Sequence, residues 1–219
     1  MSPDTTVIDA NSDVMSSPER LNIRVPQNPH MEQAQIDYMQ ELLGDARCFL
    51  EYGAGGSTLL AARCNVPDIV SIDSDSRFVR SVTRAFRRTE TTSRLTIRAV
   101  KIGPTGKWGI PTDRSHSTRW PDYTLDVWNV VREAGLNPDV ILIDGRFRVA
   151  CFYATMMQAH PGAKILFDDY TREKRGYSVV EQFAKPVQVI ERMAVFEVPE
   201  ERDMVALGFG LARYVVQHA

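Results

Sequence analysis

The chain has 219 residues, 43% of them hydrophobic and 25% charged, the composition of an ordinary globular domain and not of a fibrous or wholly disordered chain. Its 26 Lys and Arg stand against 28 Asp and Glu, for a formal net charge of -2, which offers no general attraction to nucleic acid or to an anionic membrane. No apolar run approaches a membrane span, and the start of the chain, with Asp4, Asp9 and Asp13, has no signal-peptide core. A cytoplasmic protein is expected. Cys48, Cys64 and Cys151 form no CxxC pair and read as free thiols, largely buried.

Residues 1–20 are small and polar and read as a flexible tail, with 21–219 as a single domain. Asn28-Pro29 signals a helix start, followed by the apolar stripe Ile36, Met39, Leu42 and Leu43, with Gly44 at its end. Short apolar runs then alternate with helical patterns. The runs are Cys48–Tyr52, Ile69–Asp73, Leu95–Ile102, Val140–Asp144 and Ala163–Asp168. A helix from about Ser74 to Arg88, with Ser74 as its cap, carries the stripe Phe78, Val79, Val82 and Phe86. Further helices are expected near Leu125–Ala134 and Val149–His160. This alternation predicts a doubly wound, parallel α/β sheet. Val187–Val198 and Val205–Val216 are rich in β-formers and joined by polar Pro199–Asp203, so an antiparallel C-terminal hairpin is expected, making seven strands.

Residues 103–124 stand apart. Gly103, Pro104, Gly106, Gly109, Pro111 and Pro121 are interleaved with Trp108, His116, Trp120 and Tyr123. Loops of this length are uncommon unless functional, and this one leaves the strand edge where open α/β sheets bind ligands. Its aromatic residues read either as a lid over a site or as packing for the loop.

The strongest local signal is Glu51-Tyr52-Gly53-Ala54-Gly55-Gly56-Ser57, a buried strand entering a glycine turn that opens a helix. Such a turn lets a ligand approach the backbone and offers free N–H groups. A dinucleotide fingerprint would need a third glycine where Thr58 stands, and no Tyr-x-x-x-Lys pair is present. Both points argue against an NAD-dependent oxidoreductase. Asp73 ends the second strand, where an acid can hold ribose hydroxyls.

Glu51–Ser57 together with Ser71-Ile72-Asp73-Ser74-Asp75 resembles motifs I and II of the class I S-adenosylmethionine-dependent methyltransferases, over about Pro29 to Val216. More narrowly, the segments Ile102–Gly109, Trp120–Tyr123 and Asp144–Val149 resemble bacterial methyltransferase-like proteins of unassigned substrate. The resemblance implies a Rossmann-like fold whose sheet closes on a reversed strand. It implies that Gly53, Gly55 and Gly56 line the methionine portion, that Glu51 orients the turn or the amino group, and that Asp73 holds the ribose, with Ala54, Ser57 and Ser74 as further cofactor contacts. Gly103 and Asp144 complete the expected cofactor set. One departure is Lys101-Ile102-Gly103, where many members carry an acid near the adenine.

Asp144 and the Asp168-Asp169 pair end neighbouring strands. Such a cluster needs a cation, a shared proton or basic neighbours. It resembles the Mg2+-binding acids of catechol-type O-methyltransferases, with Asp169 where that family has Asn. The alternative is pairing with Arg146, Arg148 or Arg172. Asp144, Asp168 and Asp169 are the candidate catalytic residues. Arg146, Arg148, Trp108 and His116 are candidate acceptor contacts. The arginines at 77, 80, 84, 87 and 88 read as a solvated helix face, and His30, His160 and His218 as residues at helix ends or in the tail. The function expected is methyl transfer from S-adenosylmethionine to O or N of a small polar acceptor. Neither nucleic acid nor membrane is expected as a partner, and a homodimer is compatible with this reading. A binding protein without turnover, and an interaction module that docks through the aromatic loop, remain alternatives.

Overall fold

The computed structural model describes residues 5–8, 23–171 and 174–217. Eight strands form one sheet: β1 (Thr5–Ile8), β2 (Cys48–Tyr52), β3 (Asp68–Asp73), β4 (Arg94–Ala99), β5 (Val140–Ile143), β6 (Lys164–Phe167), β7 (Gln188–Ile190) and β8 (Met193–Glu197). Their order is β1-β4-β3-β2-β5-β6-β8-β7. Strands β4, β3, β2, β5 and β6 run parallel. Strand β8 is reversed against β6, and β7 is antiparallel to β8. The seven-stranded, mostly parallel sheet with an antiparallel C-terminal hairpin is thus present as β2–β8.

The hairpin sits elsewhere than expected. It lies wholly within 188–197 and turns at Glu191-Arg192, with Glu191 at φ 52. Met204–Tyr214, expected as a strand, is a helix (α7). Asp203 caps it by accepting the Ala206 N–H at 2.9 Å. Leu207 is its buried residue, with Leu211, Tyr214 and Val215 packed against the same core. That spacing is helical. It outweighed the β-propensity of the valines, which tertiary context can reverse. Strand β1 adds an antiparallel edge beyond β4. The remainder of the tail expected over 1–20 lies outside the described residues.

Helices α1 (Gln33–Asp45), α2 (Gly56–Arg63) and α3 (Ser76–Phe86) share one core, and α4 (Trp120–Glu133), α5 (Arg148–Gln158) and α7 share the other. A four-residue helix, α6 (Lys174–Tyr177), follows β6. The strands feed both layers by simple alternation. Phe49, Val140 and Leu142 point to the α1–α3 side, and Leu50, Tyr52, Ile141 and Ile143 to the other. Helix α1 starts four residues after Pro29, behind Glu32. Asp75 caps α3 in place of Ser74, accepting the Arg77 N–H at 2.8 Å. Helix α4 starts at Trp120, with proline in its first turn, so the long loop ends at Arg119. The five helix arginines are exposed as expected, and Cys48 and Cys151 are buried free thiols. Among the described residues no helix is long and apolar enough to cross a membrane.

The strand order turns back between β2 and β5, whose carboxyl ends therefore open a crevice. Every site feature predicted on strand ends lies along that edge.

Candidate functional site

A cleft of about 1040 Å³ occupies the switch point. Its floor is the glycine turn after β2 and Asp144-Gly145-Arg146 after β5; its flank is Asp73-Ser74-Asp75 after β3. A strap through Pro26, Pro29 and His30 closes one side, and Trp108 with its loop another.

Glu51 lies beneath the turn, fully buried, and does not line the cleft. Its carboxylate accepts the hydroxyls of Ser57, Thr58 and Ser71. Burial pushes its pKa up to about 7, against the pull of those three donors. Thr58, the residue that breaks the dinucleotide pattern, also accepts the Gly55 N–H at 2.9 Å. Glu51 therefore fixes the shape of the turn, one of the two roles expected of it, from a position outside the cleft lining.

The glycines of the turn do different work. Gly53 has φ 98, and a Cβ there would lie 2.9 Å from the Gly145 backbone, so the ends of β2 and β5 touch main chain to main chain. At Gly56 a Cβ would meet the Asn28 carbonyl oxygen at 2.1 Å, so this glycine admits the strap. At Gly55 a Cβ would meet only the Phe78 ring, at 3.9 Å. Its bareness serves no packing need of the protein and leaves the cleft open. Ala54 and Ser57 also line the cleft. Asp73 faces it too, held by the Asp75 N–H at 2.9 Å. Burial raises its pKa to about 6, while the backbone N–H groups of Asp75, Ser74 and Ala54 oppose the rise.

The strand-end acids do come together: oxygens of Asp144, Asp168 and Asp169 lie within 4.8 Å of one another. Two buried arginines are threaded between them. Arg148 reaches Asp144 Oδ1 at 3.0 Å and Asp169 Oδ2 at 3.1 Å, and also binds the carbonyls of Gly145 and Asp168. Arg192 reaches Asp168 Oδ1 and Asp169 Oδ1 at 3.1 and 3.0 Å. Gln35 adds an N–H to Asp168 at 2.9 Å. Mg2+ demands a near-octahedral shell of oxygens at roughly 2.0–2.1 Å. Here each carboxylate already gives at least one oxygen to a guanidinium donor, so the charge is met by arginine and the metal alternative is not supported. Asp144 faces the cleft, and burial drives its pKa up to about 7, countered by Arg148 and reinforced by Asp168 and Asp169.

Arg192 was missed in the sequence, where it stands in a hairpin turn without any local pattern. Its Nη2 also holds the His30 carbonyl. Asp168, through Arg192 and Gln35, is thereby the anchor of the strap and of α1, and it lines the cleft while 1% exposed. His30 is a strap residue beside the cleft, not a helix end.

The acceptor candidates separate. Trp108 lines the cleft, 68% exposed, at φ 62, its ring centroid 6.3 Å from that of His30. Gly109 brings its loop against Ser74 Oγ. His116 lies outside the cleft lining, against Gly103, whose positive φ and close approach make room for the imidazole. Neither Gly103 nor His116 reaches the cleft, because the loop folds onto itself through the Thr105–Pro111 bridge and the turn at Ser117–Arg119. Trp120 is core, its indole donating to the Ile102 carbonyl at 2.9 Å. Tyr123 is buried against Phe147 yet presents an edge to the cleft. Arg148 is committed to the acid cluster, and Arg146 faces the cleft. Arg172 and His218 lie outside the described residues.

No protein-family model matches the chain, and no curated protein does. Solved structures do. A methyltransferase-like protein from Silicibacter pomeroyi is 32% identical, with a TM-score of 0.76 over 89% of this chain and 100% of that one. An O-methyltransferase from Bacillus cereus, solved with S-adenosylhomocysteine, is 18% identical at TM-score 0.52, over 76% and 80%. A cofactor-bound protein from MTB is 19% identical at TM-score 0.57, over 81% and 84%. The two more distant likenesses show the fold; the first, at full length of that relative, shows more: the chain belongs to the class I S-adenosylmethionine-dependent methyltransferase family, beside a methyltransferase-like protein.

Proposed function

We propose that the chain binds S-adenosylmethionine in the switch-point cleft and transfers its methyl group to oxygen or nitrogen of a small polar acceptor. The observation that carries this is the convergence of Gly55, Asp73 and Asp144 on one cleft. Gly55 leaves main chain bare where a methionine portion would lie, and the Asp73 carboxylate can accept from both ribose hydroxyls. The cofactor supplies the electrophile, a methyl carbon on a sulfonium. With that cofactor bound, the bond to the acceptor would form as the carbon–sulfur bond breaks, sulfur keeping the electron pair. The protein's share is alignment and proton removal. Asp144 suits the second task, since a base with pKa near 7 is half ready at neutral pH. Asp168 and Asp169 act through Arg148 and Arg192, holding the cluster that positions Asp144. At about 1040 Å³ the cleft lies just above the roughly 300–1,000 Å³ usual for one ligand, which supports a cofactor and an acceptor side by side.

Isothermal titration with S-adenosylmethionine and S-adenosylhomocysteine tests the first half. Saturable binding of both is expected, and no binding of either sinks the reading. Release of S-adenosylhomocysteine across a panel of hydroxyl and amine acceptors tests the second. Binding without turnover on every acceptor would leave a cofactor-binding protein instead of an enzyme.

A further inference from the structure

We propose that Arg146 is an oxyanion anchor, so that the acceptor is a small molecule carrying a carboxylate or phosphate. This rests on the cofactor-cleft reading and names the class of molecule that shares the cleft. Among the described residues, three cationic side chains stand beside the strand-end acids. Arg148 is spent on Asp144 and Asp169, and Arg192 on Asp168 and Asp169. Arg146 is the exception. Among the described residues its guanidinium makes no hydrogen bond or ion pair, although Asp144 is only two positions away. Asp144 has turned to Arg148.

Arg146 is also held by a tightly fixed backbone, whose neighbouring Gly145 packs on Gly53 and accepts from Arg148. Gly145 is wedged under Tyr123 Oη, and a Cβ there would lie 2.0 Å from that oxygen. The same Oη accepts the Arg146 N–H at 3.3 Å. The next residue, Phe147, adopts φ 55, which a bulky side chain takes only when its surroundings compel it. Its ring is clamped between Trp120 at 5.4 Å and Tyr123 at 5.6 Å. Residues 145–147 thus form a rigid shelf that delivers a half-buried guanidinium to the cleft. Such a group binds carboxylate or phosphate through paired N–H donors. Trp108, exposed in the same cleft, offers an aromatic face to the rest of the acceptor. The acidic neighbours Asp73 and Asp144 would repel an anion placed elsewhere in the cleft, which confines it to Arg146.

The probes are inorganic phosphate and, separately, benzoate. Each is titrated into protein saturated with S-adenosylhomocysteine, and amide and arginine Nε–H shifts are followed by NMR. The expected result is saturable binding of at least one probe, with the largest shifts at Gly145 and Arg146. Affinity should fall about tenfold or more in Arg146→Gln and less in Arg146→Lys, with the amide spectrum away from residues 144–148 unchanged in both. Which probe binds tells phosphate from carboxylate. Equal binding by wild type and Arg146→Gln, or no saturable binding of either probe, overturns the proposal. If the wild type fails to bind S-adenosylhomocysteine, the cofactor reading falls by itself. The same contrast, read on the ligand-free protein, then decides on Arg146.

Discussion

Gly55 and Gly56 are neighbours with opposite duties, and their methyl tolerance separates them. A Cβ on Gly56 collides with the Asn28 carbonyl, which is main chain and cannot swing aside. A Cβ on Gly55 meets ordinary contact distance within the protein and projects where the cofactor is proposed to lie. Gly56→Ala is expected to lower the melting temperature by several degrees, as overpacking of about 1–3 kcal/mol does. Gly55→Ala is expected to leave melting within about a degree and to weaken S-adenosylhomocysteine about tenfold or more. Calorimetry of both variants checks this; Gly55→Ala binding like wild type would remove the cofactor from the turn. The sequence marked the glycines as a group, because their spacing is local. It did not distinguish them, because the Asn28 carbonyl comes from a segment 28 residues upstream. Glu51 shows the same limit: its place in the motif was legible, but its enclosure by Ser71 required knowing that β3 lies alongside.

Between the residue and the molecule stands the strap. It has no regular structure from Ile23 to Glu32, so its position depends on side-chain ties. Arg192 binds the His30 carbonyl on one hand and Asp168 on the other, and Gln35 secures the start of α1 to the same carboxylate. Removing one member of a buried pair leaves the other uncompensated and costs about 3–5 kcal/mol. Arg192→Gln is expected to destabilise the fold by that order. Amides of 23–32 should gain hydrogen exchange well before the central strands do. Exchange that rises uniformly over the sheet would show the tie to be general stability and not strap anchoring. The parallel strands and α3 were legible because burial imposes short periods on them. Helix α7 was not, since its valines favour a strand while only the Leu207–Leu211–Tyr214 spacing and the Asp203 cap argue for a helix. A strand expected from composition gave way to a helix chosen by the surface of α5.

At the scale of the whole molecule, the cleft edge gathers carboxylates whose proton affinity is raised by folding. Glu51 and Asp144 rise to about 7 and Asp73 to about 6, each through burial first. Unfolded, the same groups titrate near 4. Between about pH 4 and 7 the native chain therefore binds more protons than the unfolded chain, so stability falls as pH rises through that window. Below it both states are protonated and the effect vanishes; above it the loss is complete. Asp75, also on the cleft flank, is lowered against its desolvation by hydrogen bonds from Arg77 and Phe78, and so works in the opposite sense but below this window. In the proposed reading, the positive charge of a bound sulfonium would favour ionisation of these acids and so offset part of the cost of holding them out of water. The expected outcome is a higher melting temperature at pH 5.5 than at pH 8 in the ligand-free protein. The gap should narrow in Glu51→Gln, which cannot ionise, and again on saturation with S-adenosylmethionine. A melting temperature that climbs from pH 5.5 to pH 8 would mean that these carboxylates are not raised in the native state, and Asp144 would lose its claim to be a base at neutral pH.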